Sequence, residues 1–147
     1  MRRSVTKTLL ALSLIAVLWG LVVAPARCVA QEKPEVQAQK SDEAWLALVD
    51  AGKYADSWKT ASSIFQEGVS EEMWGSAVGR ARSSLGKVKS RKLKSAVYST
   101  TLPGAPDGEY VVAKFETEFE HKQSAIETVV SNREKDGSWR VAGYFIS

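Results

Sequence analysis

Cysteine is nearly absent from this 147-residue chain, which has one, Cys28, and histidine is represented only by His121. One cysteine excludes an intrachain disulfide framework, and one histidine without a cysteine beside it excludes a zinc site of the usual kind. Proline is scarce as well, at four residues, and two of these, Pro103 and Pro106, fall within six positions of each other. Acidic residues are missing altogether before Glu32. That gap governs the charge argument. Four of the 20 basic residues, Arg2, Arg3, Lys7 and Arg27, lie ahead of it, so the remainder carries 16 basic against 17 acidic residues, net −1. The basic pI of the whole chain belongs to its first segment and gives no ground for a nucleic-acid partner.

That first segment has the pattern of an export signal. Arg2, Arg3 and Lys7 precede an apolar run from Leu9 to Trp19 broken only by Ser13, and Pro25 precedes the small-residue site Cys28-Val29-Ala30. Residues 1–30 are read as a secretory signal peptide cleaved after Ala30, which directs the chain to the periplasm or outside the cell. An uncleaved anchor is the alternative, since Thr8 to Ala24 approaches the ~20 residues of a membrane span. Only in that case does the membrane become a partner. Arg27 directly before Cys28 argues against lipidation, and a Leu-rich core argues against the twin-arginine route.

The remainder is read as a flexible linker over 31–40 and one α+β domain over 41–147. The linker, Gln-Glu-Lys-Pro-Glu-Val-Gln-Ala-Gln-Lys, has too little apolar surface to offset its ordering entropy. Ser41 is the expected cap of a first helix carrying Trp45, Leu48 and Val49 on one face and ending at Gly52. A second helix is expected from Tyr54 to Gln66, and a third, capped by Ser70, with Met73, Trp74, Ala77, Val78 and Ala81 as its apolar stripe and its end at Gly86. Beyond Lys87 the period changes to two. Strands are expected over 89–101, 109–120, 125–133 and 138–146, joined by the Pro-Gly turn at 103–108, a turn at 121–124 and the hairpin signal Asp136-Gly137. In the second strand Val111, Ala113, Phe115, Thr117 and Phe119 share one face. Helices followed by strands predict three N-terminal helices packed on a four-stranded antiparallel meander sheet.

Three stretches of wording are distinctive: Trp45-Leu46-Ala47-Leu48-Val49-Asp50-Ala51-Gly52-Lys53-Tyr54 with Ser57-Trp58, Leu102-Pro103-Gly104-Ala105-Pro106-Asp107-Gly108-Glu109-Tyr110-Val111-Val112, and Asp136 through Ile146. Together they resemble the exported bacterial family called domain of unknown function 4019, over about residues 43 to 147. The resemblance implies a periplasmic or secreted protein and carries no established activity. At fold level the order of elements looks like the cone-shaped nuclear transport factor 2 and ketosteroid isomerase relatives, whose curved sheet wraps a helix.

Candidate sites follow from residue type and position. The aromatic set Trp45, Tyr54, Trp58, Trp74, Trp139 and Tyr144 is able to line a pocket for an apolar ligand or peptide, although its spacing favours core. Trp45, Trp58, Trp139 and Tyr144 are the ligand-binding candidates. Asp50 and Asp56 flank the Gly52 turn, and Glu127 lies among apolar residues of a central strand. Each is a candidate general base if desolvated, and the plainer uses are helix termination for the aspartates and a cross-hairpin pair with Arg140 for Glu127. The run Arg80, Arg82, Lys87, Lys89, Arg91, Lys92 and Lys94 holds no acidic residue. It is an interaction-surface candidate toward anionic envelope polymers, lipid headgroups, or Glu116, Glu118 and Glu120 of another copy in a homodimer, against the plainer reading of a lysine-guarded edge strand. No cofactor or metal is assigned. The leading expectation is a non-catalytic module binding a small ligand or an envelope protein, and the alternative is an isomerase-like or cyclase-like enzyme with a buried carboxylate.

Overall fold

The computed structural model describes residues 31–147; the signal segment read at 1–30 and its cleavage site lie outside the described residues. Four helices come first: α1 (Pro34–Asp50), α2 (Tyr54–Thr60), α3 (Ser63–Gly68) and α4 (Glu71–Leu85). Four strands follow: β1 (Val88–Ser99), β2 (Tyr110–Phe119), β3 (Lys122–Arg133) and β4 (Trp139–Ile146). They form one antiparallel sheet in the order β1-β2-β3-β4, a meander with every neighbour in sequence also a neighbour in space. The fold class is α+β, as the change of hydrophobic period at Lys87 predicts.

Three boundaries differ from the expectation. The stretch read as a linker is helical from Pro34, which occupies the N1/N2 position where its missing N–H costs nothing. Ala38, in that stretch, is wholly buried against Val111 and Trp139. Ser41 is accordingly inside α1, where its hydroxyl donates to the Trp139 carbonyl at 2.5 Å instead of capping a helix. The single helix expected over 54–66 is two, because Ala61 is extended and the Ser62 hydroxyl caps the next helix by accepting from the Phe65 N–H. The expected turn at 121–124 is shorter, since β3 already begins at Lys122. Ser70 caps α4 as predicted, accepting from the Met73 N–H.

The helices cover one face of the sheet. On β2 the residues Val111, Ala113, Phe115, Thr117 and Phe119 are all buried while Lys114 and Glu116 are exposed, so the period-two alternation places the inner face as read. α1 lies against all four strands. The main core joins Trp45, Leu46 and Val49 of α1, Phe65 of α3 and Trp74 and Val78 of α4 to Ala113, Phe115, Val129 and Val141 of the sheet. The junction between α4 and β1 needs a glycine. Gly86 has φ of 76°, and a Cβ there would stand 2.9 Å from the Glu120 Cβ. The Glu120 carboxylate accepts the Lys87 N–H at 2.8 Å, clamping this junction to the β2–β3 turn.

Candidate functional site

Three of the four indoles among the described residues are fixed by hydrogen bonds to the protein itself. Trp45 Nε1 donates to the Ser57 carbonyl at 2.8 Å, Trp74 Nε1 to the Ser57 hydroxyl at 2.9 Å, and Trp58 Nε1 to the Val69 carbonyl at 2.7 Å. Ser57 is buried in α2, one small polar residue serving two tryptophans from α1 and α4. Trp45 packs on Phe65, Trp74 and Tyr144 with ring centroids 6.2, 5.5 and 5.4 Å away, in tilted or edge contacts that favour the ring quadrupoles. These rings fill the interior between helices and sheet. Trp139 sits apart, with Ala38 and Val111, and its Nε1 is buried without a partner.

The polar feature of the inner face is a cluster around Glu127. This carboxylate has no solvent exposure, and residues from three other strands and a helix converge on it. Arg91 Nε of β1 donates to Oε2 at 2.6 Å, and Thr117 Oγ1 of β2 donates to the same oxygen at 2.5 Å. Oε1 receives Arg91 Nη2 at 3.2 Å, Arg82 Nη1 of α4 at 3.4 Å, and the Tyr144 hydroxyl of β4. The two arginines reach back to Asp50 at the end of α1, Arg82 Nη2 at 2.5 Å and Arg91 Nη1 at 2.7 Å. Two guanidiniums therefore neutralise two carboxylates. Burial of the phenol, followed by the adjacent Glu127 charge, pushes the Tyr144 pKa above its ordinary value. For Arg91 burial pulls the other way, but hydrogen bonds to Asp50 and Glu127 outweigh it and hold the guanidinium more basic than usual. Arg82 also lies over the Phe119 ring, 4.9 Å from its centroid.

A carboxylate offers about four lone-pair directions. Glu127 faces five donors, so no acceptor capacity is left to take a proton from a substrate.

The cluster opens to solvent at Asp50, whose side chain is 29 % exposed. There a groove of about 370 Å³ runs between the ends of α1 and α4, lined by Asp50, Gly52, Tyr54, Arg82, Lys87 and Glu120 among others. It is polar, with charges of both signs on its walls.

The sequence candidates are thus distributed unevenly. Glu127 and Asp50 come together, bridged by arginines; Asp56 is exposed on α2 and joins neither. The expected pair of Glu127 with Arg140 does not form: Glu127 lies opposite Ile146, and Arg140 bonds to Asp136 and Ser138 in the hairpin turn. The basic run splits in two. Arg82 and Arg91 turn inward, 7 % and 15 % exposed, while Arg80, Lys87, Lys89, Lys92 and Lys94 face solvent. Two of the acidic residues expected to meet another copy are engaged within the chain, Glu116 by Lys94 at 2.8 Å and Glu118 by Lys89 at 3.8 Å. Thr117 lies on the inner face that the alternation of β2 predicts, and a hydroxyl on an otherwise apolar strand face is the sequence signal that marks it for the cluster.

A second buried carboxylate, Asp42 on α1, was not among the candidates. It has no exposure, accepts from the Ser131 hydroxyl of β3 through one oxygen, and leaves the other oxygen without a partner. Burial raises its pKa from 3.8 to about 7, against the lowering effect of the Ser131 bond. Among the described residues no cluster of three or more His, Cys, Asp or Glu side chains is placed to hold a metal ion.

A family model described as protein of unknown function (DUF4019) matches residues 41–144. The chain belongs to that family. The match covers every element described above except the first two turns of α1 and the end of β4, so the Glu127 cluster lies within the DUF4019 region. No curated protein matches the chain.

Proposed function

We propose that this DUF4019 protein is an exported, non-catalytic module that binds a small polar ligand or an envelope protein at its surface. The saturated Glu127 carboxylate is the observation that carries this reading. A general base needs a free lone pair within reach of substrate, and the only wholly buried carboxylate of the Asp50, Asp56 and Glu127 set has five donors on it and no exposure. The alternative, an isomerase-like or cyclase-like enzyme, needs in addition an interior cavity, and the space between helices and sheet is filled by Trp45, Phe65, Trp74 and Tyr144. By analogy of fold alone, helices that precede and cover a meander sheet liken the chain to the cone-shaped nuclear transport factor 2 relatives. Export is supported by the charged start, the apolar run and the small-residue site of residues 1–30.

The binding surface in this reading is the groove beside Asp50. Its mixed charge suits a zwitterionic or peptide-like ligand better than an apolar one. The test is an amide and indole nuclear magnetic resonance titration of the chain from Gln31 against a library of small molecules and cell-wall peptide fragments. Shifts at Gly52, Gly79 and Gly86, which line the groove, are expected. Shifts centred on the Trp45 and Trp74 indoles would show that the interior admits ligand and would restore the enzyme reading.

A further inference from the structure

The two edges of the sheet differ in charge. β1 carries exposed Lys89, Lys92 and Lys94, with Lys87 just before it, the usual guard against strand addition. β4 from Val141 to Ile146 reads Val-Ala-Gly-Tyr-Phe-Ile and has no charge at all. Phe145 on its outer side is 63 % exposed.

The hydrogen-bonding state of the β4 edge follows from its pairing. Ser147 and Ile126 exchange both backbone bonds at 3.0 Å, and bonded and non-bonded pairs alternate along an antiparallel ladder. Tyr144 and Ile146 therefore direct their N–H and C=O groups away from β3. Nearer the start of the strand the outward Val141 carbonyl accepts the Ser62 N–H at 2.9 Å, so α3 covers that part of the edge. No backbone group among the described residues meets those of Tyr144 and Ile146. Directly beside them an apolar groove of about 230 Å³ lies between α4 and β4, lined by Trp74, Ala77, Val78, Ala81, Tyr144 and Ile146.

We propose that the β4 edge pairs with the β4 edge of a second copy of this chain, joining two four-stranded sheets into one across a twofold axis at Phe145. Unpaired donors and acceptors two residues apart call for an extended chain, and the groove calls for an apolar side chain from it. Three features select a second copy. The uncharged edge meets itself without repulsion, whereas two β1 edges would oppose their lysines. Head-to-tail pairing of β1 with β4 would place lysines against an apolar edge and would leave one edge of each kind open at the two ends of any pair. With the axis at Phe145, Tyr144 exchanges both backbone bonds with the partner's Ile146. The two exposed Phe145 rings then lie opposite each other at a close, non-bonded pair position, and the partner's Ile146 side chain enters the groove under α4. This pairing stands independently of what the Asp50 groove binds.

Sedimentation of the chain from Gln31 over a range of concentrations, combined with amide hydrogen exchange, tests it. The expected result is a mass twice that of the monomer, with the Tyr144 and Ile146 amides protected in proportion to the dimer population. Phe145→Lys places two like charges at the axis and is expected to give a monomer with an unchanged circular dichroism spectrum and with those two amides exchanging freely. Lys92→Glu on the opposite edge is expected to leave the dimer intact. A wild-type chain that stays monomeric at every concentration overturns the proposal, as does a dimer that survives Phe145→Lys or leaves the Tyr144 and Ile146 amides unprotected.

Discussion

Glu127 and Asp42 are both wholly buried carboxylates on the same side of the sheet, and their surroundings assign them opposite behaviour. Glu127 is compensated by two guanidiniums, so its cost lies in desolvation and its value in the bonds that replace water. Removing its charge leaves Arg82 and Arg91 with only Asp50. Glu127→Gln is expected to lower the unfolding free energy by about 3–5 kcal/mol, the usual consequence of stranding a buried ionic partner, read from urea denaturation. Asp42 has no cation beside it and one oxygen without a partner. With its pKa at about 7 when folded and near 3.8 when unfolded, the native state binds the extra proton between those values. The stabilising effect of that proton is fully present below about pH 4, is lost progressively as pH rises to about 7, and is gone above. Asp42→Asn removes the titration while keeping the shape. It is expected to flatten the pH dependence of the melting temperature between pH 4 and 7 and to raise stability at pH 8 by about 1–4 kcal/mol.

At the scale of elements, α1 departs furthest from its sequence reading. Residues 34–40 carry little apolar surface, and composition alone assigns them to a tether; Glu, Gln, Lys and Ala are nevertheless good helix formers, and Pro34 sits where a helix begins. What decides the matter is a long-range contact, Ala38 against Val111 and Trp139, which no local window contains. A chain beginning at Ser41 is therefore expected to be less stable than one beginning at Gln31 by about 1–3 kcal/mol for the apolar surface of Val111 and Trp139 left uncovered, and to melt at a lower temperature in differential scanning calorimetry. The break at Ala61 was obscured for a related reason: Tyr54, Trp58, Ala61 and Phe65 keep helical spacing across it, and the Ser62 cap is the local mark that they belong to two helices. The strands were legible because alternation is a strong signal on a half-buried sheet, clearest on β2. The cluster was half legible. Arg82 falls on the apolar stripe of α4, four residues after Val78 and eight after Trp74, so helical spacing marks it as inward; it was masked by the neighbouring charges of a dense basic run. Arg91 is hidden by the irregular register of β1 between Leu93 and Ser95, which reverses which residues face inward. Sequence periodicity cannot show a bulge, since a bulge is set by the partner strand.

Taken as a whole, the molecule is held by one point at which six elements meet: α1 through Asp50, α4 through Arg82, β1 through Arg91, β2 through Thr117, β4 through Tyr144, all on Glu127 of β3 or one arginine away from it. The parts are not independent modules. A chain ended after Gly143 lacks the Tyr144 hydroxyl and the last ladder bonds of β4, and it is expected to lose the cooperative thermal transition altogether, with near-ultraviolet circular dichroism as the measurement. The same convergence has a consequence for biosynthesis. A chain made from its N-terminus holds Asp50, Arg82 and Arg91 for dozens of residues before Glu127 exists to receive them, and Tyr144 follows only 17 residues after Glu127. Until then the helices have no sheet to cover and the arginines have no buried partner. Closure of the cluster is thereby postponed until β3 and β4 have both been made, long after the helices that contribute Asp50 and Arg82.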